Sequence, residues 1–200
     1  MKSYFLLLNF FLLHTLVFNG IAQNYDSPPS HKNEVGFDFS VAMSGTGIGG
    51  FYRFPIWSYS HIGVNANFFI MRDDKEFQYV DPYTGFPSTA NKINRLFFIP
   101  VNIEFKKRLF VNDIEDNFRP HLIFQAGGIY GMNFPKAEGL DNQSQWSYNF
   151  IIGFGVDFNN KDKFFIGVRP QFRFIYFDKE IAQKTDHSAF EIVIEFGGRL

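Results

Sequence analysis

The chain has 200 residues, no cysteine, a formal net charge of −1 and a mean hydropathy of −0.12. The absence of cysteine excludes disulfides, thiol catalysis, thiolate metal sites and a lipid-modified cysteine anchor. The near-neutral charge, without any basic run, argues against a nucleic-acid partner. Phenylalanine is the commonest bulky residue, with 29 copies, although the mean hydropathy is slightly negative. The apolar residues are therefore dispersed along the chain rather than gathered in blocks.

Residues 1–22 have the features of a cleavable secretory leader. Lys2 supplies a positive start, residues 4–18 form an apolar stretch, and Gly20 and Ala22 provide the small residues expected before a cleavage site. The alternative is an uncleaved membrane anchor, but the apolar stretch contains polar interruptions and is short for a membrane span. We therefore predict export and cleavage after Ala22.

Residues 23–33 are polar and contain two prolines, and we predict a flexible entry segment there. Residues 34–200 then repeat one pattern about eight times, in which bulky apolar residues alternate with small or polar ones. Because successive side chains of a strand point to opposite faces, this pattern predicts strands with one apolar and one polar face. The last segment illustrates it, with Phe190, Ile192, Ile194 and Phe196 on one parity and Glu191, Val193, Glu195 and Gly197 on the other.

The segments that follow the pattern are 34–44, 48–56, 61–71, 95–107, 121–130, 146–158, 164–174 and 190–197. Most of them are long enough to cross a bilayer at a tilt. The connections between them alternate in length, as in outer-membrane barrels, which have short periplasmic turns and long external loops. We predict an all-β fold, an eight-stranded antiparallel up-and-down transmembrane β-barrel in the cell outer membrane.

The alternation alone does not say which face is inside. A soluble lipocalin-like barrel, the alternative, would turn its apolar residues inward. The apolar face carries about forty bulky groups, far more than the narrow interior of an eight-stranded barrel holds. The other face is rich in Gly, Ser and Asn, which suit a narrow interior. We therefore expect the apolar face to contact lipid, with aromatic residues such as Trp57, Tyr59, Trp146 and Tyr148 near the two interfaces.

The sequence resembles the PorT-like outer-membrane β-barrel family. The matching residues are Ile99-Pro100 and Lys106 in one strand, then Arg119-Pro120 and Gly127-Gly128 in the next. The resemblance covers essentially the whole mature chain and implies an eight-stranded outer-membrane barrel. It also implies a link to secretion or gliding machinery, which a few members of that family have. The chain departs from the family at its end, where Leu200 replaces the usual final aromatic residue.

Several charged residues share the polar parity and are predicted to point into the barrel. They are Arg53, Glu104, Asp157, Arg169, Arg173, Glu191 and Glu195. Because buried charges must be paired, we predict a network of ion pairs that closes the lumen. Cross-strand pairs between Arg169 and Arg173 on one strand and Glu191 and Glu195 on the next are geometrically natural. The alternative is a narrow polar conduit or a ligand site.

Other motifs do not indicate a catalytic or metal site. The glycines at 45–50 satisfy G-x-G-x-x-G, but a strand follows them instead of the helix that a dinucleotide site needs. His121 lacks a serine partner, and His187 lies directly beside its polar neighbours, which prevents easy convergence on one reacting centre. Acidic clusters at 73–76 and 113–116 lack the ordered spacing of a calcium loop. We predict no catalytic residue, no metal and no cofactor.

The long connection at 72–94 has more aromatic residues than a simple linker needs, namely Phe77, Tyr79, Tyr83 and Phe86. We therefore expect a structural or interaction role, with a protein partner at the external loops. Outer-membrane lipid and, during assembly, the barrel-insertion machinery are further expected partners. A narrow solute channel and a lipid-modifying enzyme are the alternatives.

Overall fold

The computed structural model describes residues 32–72, 77–90, 93–111, 114, 117–136, 140–160 and 163–200, with backbone only at 77–78, 87–90 and 159–160. The predicted leader and most of the predicted entry segment lie outside these ranges. The acidic clusters at 73–76 and 113–116 lie outside them as well.

Eleven strands are present in the described ranges: β1 (Glu34–Ala42), β2 (Gly45–Trp57), β3 (Ser60–Met71), β4 (Phe77–Val80), β5 (Pro87–Ala90), β6 (Leu96–Arg108), β7 (Phe118–Asn133), β8 (Gln143–Asn160), β9 (Phe164–Ile181), β10 (Lys184–Asp186) and β11 (Ala189–Arg199). Eight of them form one antiparallel sheet in the order β1-β2-β3-β6-β7-β8-β9-β11. The sheet closes because β11 pairs with β1, as in the pair Phe37 and Phe196. The predicted eight-stranded antiparallel barrel is therefore confirmed.

The two ends of the barrel differ. Glu34 and Arg199, the first and last strand residues, lie at one end, which we call the terminus end. The connections β1–β2, β3–β6, β7–β8 and β9–β11 lie at the opposite end, which we call the loop end. Within the described ranges, no helix is long and apolar enough to span a membrane.

The two faces of the barrel wall differ as the alternation predicts. From Phe164 to Asp178 on β9, every second residue is buried and the residues between are exposed. The exposed ones include Phe172, Phe174 and Tyr176, whereas the buried ones include Arg169 and Arg173. The same division holds on the other barrel strands, so that large apolar side chains surround the outside and most charged side chains of the strands lie inside.

Several inward-facing glycines provide space for large side chains on the neighbouring strand. Gly47 lies opposite Phe69, and a Cβ atom at this glycine would lie 2.6 Å from the ring. Gly155 lies opposite His121 in the same way, with 2.7 Å to Nε2. The alternation of small and large residues inside the barrel is therefore a packing relation between paired strands.

Two expected loops at the loop end contain additional strands. The connection at 72–94 contains the separate hairpin β4–β5. Residues 177–188, expected to form a polar loop, instead extend β9 to Ile181 and return as β10 through a tight turn. Ala182 and Gln183 both adopt positive φ angles of 52° and 64°, as a two-residue hairpin turn requires. Polar residues on both faces of this extension hid the strand in the sequence.

The glycine positions give a direct test of interior packing. A Cβ atom at Gly197 would lie 2.3 Å from the Phe165 ring, whereas one at the adjacent Gly198 would have its nearest neighbour at 3.6 Å. We therefore expect Gly197→Ala to lower the free energy of unfolding by about 1–3 kcal/mol, because overpacking displaces a buried ring. Gly198→Ala, the control, should change it by less than about 0.5 kcal/mol. Urea titration of protein folded in detergent micelles measures both, and equal effects would contradict the packing relation.

Candidate functional site in the barrel lumen

Among the described residues, the interior of the barrel holds a charge-balanced set of twelve buried Asp, Glu, Lys and Arg side chains. The carboxylates are Glu34, Asp38, Glu104, Asp157, Glu191 and Glu195, and the cations are Arg53, Lys106, Arg119, Arg169, Arg173 and Arg199. All seven of the sequence-predicted interior residues belong to this set. The six cations formally balance the six carboxylates, which a water-poor interior requires.

Arg53 is the centre of the network. Its Nε donates to Glu104, its Nη2 donates to Glu195 over 2.7 Å, and its Nη1 lies 3.3 Å from Glu34. The guanidinium also lies over the Phe51 ring, 3.9 Å from its centroid. One cation thus connects carboxylates from β1, β6 and β11, so it holds three strands together across the lumen.

The absence of a side chain at Gly63 allows Arg53 to reach Glu104. These two residues lie two strands apart, and Gly63 pairs with both of them from the strand between. A Cβ atom at Gly63 would lie 2.9 Å from the Cγ atom of Arg53. The arginine side chain therefore reaches Glu104 across the inner surface of β3, over a glycine.

A second group of charges lies at the terminus end. Lys106 Nζ donates to Asp157 over 2.6 Å and to Glu34 over 3.1 Å, while Arg199 Nε donates to Glu34 over 3.2 Å. Beside this group, a hollow of about 360 Å³, counting the solvent at its mouth, opens toward the terminus end. His121 lies at its inner wall, with Nδ1 3.5 Å from Asp157.

The two expected arginine–glutamate pairs form between β9 and β11. Each pair joins residues that lie diagonally across the two strands. Arg169 Nη1 donates to Glu195, and Arg173 Nε donates to Glu191 over 2.7 Å. Gln171, between the two arginines, accepts from Arg169 over 2.7 Å and donates to Glu191 over 3.0 Å. The two pairs are therefore joined into one chain of hydrogen bonds.

Sequence reasoning missed some members of the network, including Glu34, Arg119 and Arg199. The signal was available, because Glu34 shares the parity of Asp38 and Arg199 shares that of Glu195. Glu34 begins β1 and Arg199 ends β11, and the alternation was not traced as far as these terminal positions.

Amide side chains form a layer beside the charges. Asn65 and Asn67 both donate to Asp38, the first over 2.8 Å. Asn149 donates to Asn102 over 2.8 Å, and Asn102 donates to Gln125 over 3.3 Å. This layer extends the hydrogen-bonded part of the lumen toward the loop end.

The loop end of the lumen is apolar, which corrects the expectation of a wholly polar interior. The cluster consists of Phe69, Leu96, Phe98, Ile129, Ile175, Phe177 and Ile181, all buried. The edge of the His187 ring packs against Phe98, with 5.1 Å between ring centroids. Stretches such as 96–99 and 174–177 are apolar on both parities, because here the lumen as well as the outer face is apolar. The barrel is thus filled by charges at one end and by hydrocarbon at the other.

The described aromatic residues of the connection at 72–94 are exposed. Tyr83 at the tip of the β4–β5 hairpin is 96% exposed, and Tyr79 and Phe86 are exposed as well. The side chain of Phe77 lies outside the described part of the structure. The carboxylate of Asp81 accepts hydrogen bonds from the backbone of Tyr83 and Thr84 and shapes the tip.

Most of the expected interfacial aromatics lie on the outside, with one correction. Trp57, Trp146 and Tyr148 are exposed on the outer surface. Tyr59, expected beside them, is buried, with a φ of 61° and with the Arg108 guanidinium 5.7 Å from its ring centroid. The turn between β2 and β3 rotates this ring inward.

The histidines considered for catalysis contact backbone carbonyl groups and a carboxylate. The His187 ring nitrogen Nε2 lies 3.1–3.2 Å from the carbonyl oxygens of Lys184 and Ile181. Ser188 Oγ contacts the backbone of Ile175, both its amide and its carbonyl. His121 Nδ1 lies 3.5 Å from the carboxylate of Asp157 and 3.4 Å from the carbonyl oxygen of Arg119.

Comparisons with solved structures identify the fold. The N-terminal β-barrel domain of OprF from Pseudomonas aeruginosa matches with a TM-score of 0.54 and 10% identity, over 86% of this chain and all of that domain. Neisserial surface protein A matches with a TM-score of 0.54 and 9% identity, over 84% of this chain and 95% of its own. No protein-family model and no curated protein sequence matches the chain. The chain has the fold of the small outer-membrane β-barrels.

The central position of Arg53 leads to a prediction for the stability of a variant without this cation. Arg53→Met leaves three buried carboxylates without their shared cation, so we expect the free energy of unfolding to fall by about 3–5 kcal/mol. Arg95→Met is the matched control, because Arg95 is an exposed arginine that makes no side-chain ion pair among the described residues. Urea titration in micelles compares the two variants. A loss for Arg53→Met no larger than that for Arg95→Met would show that the network contributes little to stability.

Proposed function

We propose that the chain is a small integral outer-membrane β-barrel with a closed lumen, which acts through its loop end as a structural or interaction protein. The single observation that carries the membrane placement is the outer surface. Large apolar side chains are exposed on every barrel strand, among them Phe37, Ile48, Val64, Ile103 and Phe150. A soluble monomer rarely exposes more than a few hundred Å² of contiguous apolar surface, whereas a lipid-facing wall requires it.

The dimensions of the barrel support the same placement. Each of its eight strands has at least nine residues, which is sufficient to cross the hydrocarbon core at a tilt. The closed sheet leaves no unpaired strand edge, which is a condition for β structure in lipid. Trp57 at the terminus end and Trp146 toward the loop end suit the two membrane interfaces.

The filling of the lumen favours a non-conducting barrel over the channel alternative. A permeating solute would have to break the Arg53 network and then displace the apolar cluster around Phe98. The proposal also assigns no catalytic role, since His187 and Ser188 bind backbone groups. The PorT-like resemblance, with Ile99-Pro100 and Arg119-Pro120 as matching residues, extends the proposal to a place beside secretion or gliding machinery. Export through the cleaved leader at 1–22 is part of the same proposal.

The membrane placement and the closed lumen are tested together by reconstitution. We expect the folded protein to migrate differently on a gel before and after boiling, and to stay with vesicles that have been washed with alkali. In planar bilayers it should give no openings above background, because the Arg53 network and the apolar cluster around Phe98 fill the lumen. Identical migration, or release from the vesicles, would contradict the membrane barrel, whereas discrete openings would favour the channel.

The interaction role is tested at the hairpin tip. A photo-crosslinking amino acid at Tyr83, which is almost fully exposed, should produce a discrete protein adduct in cells of the source organism. The same amino acid at Trp146, on the proposed lipid-facing wall, is the matched control and should give no protein adduct. Mass spectrometry identifies the cross-linked protein. Absence of an adduct from Tyr79, Tyr83 and Phe86 alike would contradict a partner at this hairpin.

A further inference from the structure

Three cations lie on neighbouring strand extensions at the loop end. Arg72 follows β3, and its backbone amide donates to Ser44 over 2.7 Å. Arg95 precedes β6, and its carbonyl accepts from the amide of Phe134 over 3.0 Å. Lys136 follows β7, and its amide donates to Ile93 over 2.8 Å. The hydrogen bonds continue the sheet beyond the barrel strands, so these cations are positioned by ordered backbone.

All three side chains belong to the outer face of the barrel. Arg72 has the parity of the exposed Phe68 and Ile70. Arg95 has the parity of Phe97, and Lys136 has that of the exposed Phe134. Each cation is itself exposed. The three cations therefore lie at the edge of the apolar outer surface. This is the position expected of residues that contact lipid headgroups.

The arrangement places like charges side by side. Met71 pairs with Leu96, so Arg72 and Arg95 are the next residues on two adjacent antiparallel strands. Like charges opposite each other in a sheet are destabilising. Among the described residues, neither arginine makes a side-chain ion pair within 4 Å. An anion bound between the two guanidinium groups would remove this repulsion.

Outward-facing carboxylates occur on another part of the described loop end. On β9, the outward positions at the corresponding height are Asp178 and Glu180, which have the parity of Phe174 and Tyr176. Because a phosphate group would be repelled by carboxylates, these two residues provide a comparison with the three cations beside β3, β6 and β7.

We infer that Arg72, Arg95 and Lys136 form a surface that binds the phosphate groups of an anionic lipid in the leaflet beside the loop end. The inference rests on the proposed membrane placement. Guanidinium groups bind phosphate oxygens in a bidentate manner, and lysine adds a point charge. The apolar side chains directly below, such as Phe97 and Phe134, contact the acyl chains of the same lipid. Phosphate and acyl chain are thus recognised by adjoining parts of one face.

The test measures lipid binding by native mass spectrometry of the protein folded in detergent micelles. The probes are diphosphoryl lipid A, phosphatidylcholine as a neutral lipid, and inorganic phosphate as a competitor. The variant Arg72→Gln/Arg95→Gln/Lys136→Gln is compared with Lys32→Gln/Lys163→Gln/Lys179→Gln, which removes the same charge from exposed positions elsewhere. A third variant, Asp178→Asn/Glu180→Gln, changes the acidic side.

We expect the first variant to bind diphosphoryl lipid A about 100-fold more weakly than the wild type, from the usual contribution of three basic residues near an anionic surface. The charge-matched control should show a clearly smaller loss, because it changes only the net charge of the protein. The β9 variant should bind at least as well as the wild type, because it removes two negative charges. Phosphatidylcholine binding should be the same for all. Equal losses for the first variant and its control, or displacement of lipid A by millimolar inorganic phosphate, would overturn the inference.

A stability measurement separates lipid binding from an internal structural role. In micelles without added lipid, the first variant should unfold at the same urea concentration as the wild type or a higher one, because it removes like-charge repulsion. A lower midpoint than that of the charge-matched control would mean that the cations have partners within the protein, and would overturn the inference. A wild type without a heat-modifiable gel band would instead overturn the proposed function itself. Folded protein that binds lipid A without regard to these residues leaves the proposed function intact and refutes only the lipid surface.

Discussion

The contact of one guanidinium with three carboxylates is the interaction on which the rest of the interior depends. Arg53 is completely enclosed, and so are Glu34, Glu104 and Glu195 around it. A buried charge without a partner is costly, so the four groups are stable only as a set. Because they come from four different strands, the set forms only when the barrel has its correct order and register. The network therefore specifies the arrangement of the strands as well as filling the space between them.

Inward-facing glycines provide space for large side chains and also allow charged groups to meet. An eight-stranded barrel is barely wide enough for its own side chains, so every large group must have a small one across from it. Gly63 permits the Arg53–Glu104 contact, and Gly167 lies between Asp157 and Glu195, with which it pairs on either side. Residue size thus determines which charges can meet. A substitution at such a glycine would disturb electrostatics through packing.

The fold was predictable because lipid and lumen impose opposite requirements on alternate residues. The eight strands, their order and the outward direction of Phe172 or Phe190 all follow from parity. The individual ion pairs were less accessible. Arg169 and Glu195 lie on adjacent strands and were predicted to meet, but the contact of Arg53 with Glu104 spans an intervening strand. Such contacts depend on strand tilt and on the inward space left by glycine, neither of which a single parity pattern contains.

The apolar filling at the loop end was missed for a related reason. Leu96 and Phe98 alternate with the outward residues Phe97 and Ile99, so the stretch has no polar parity. A run that is apolar on both faces weakens the evidence for a strand when it is read alone. In a barrel, such a run is expected where the outer surface of the wall and the interior are both apolar. The extension of β9 escaped notice because its outward residues, Asp178 and Glu180, are polar, whereas those of the barrel strands are apolar.

The pairing of β1 with β11 has a consequence for folding. Glu34 stands on β1 and binds Arg199 on β11, and Arg53 needs Glu195 from the same final strand. A chain without β11 lacks two interior carboxylates and one interior cation, so a surplus of positive charge remains in its lumen. Electrical neutrality is reached only when β11 joins β1. An open sheet that has not yet paired these two strands is thereby distinguished from the closed barrel by its own electrostatics.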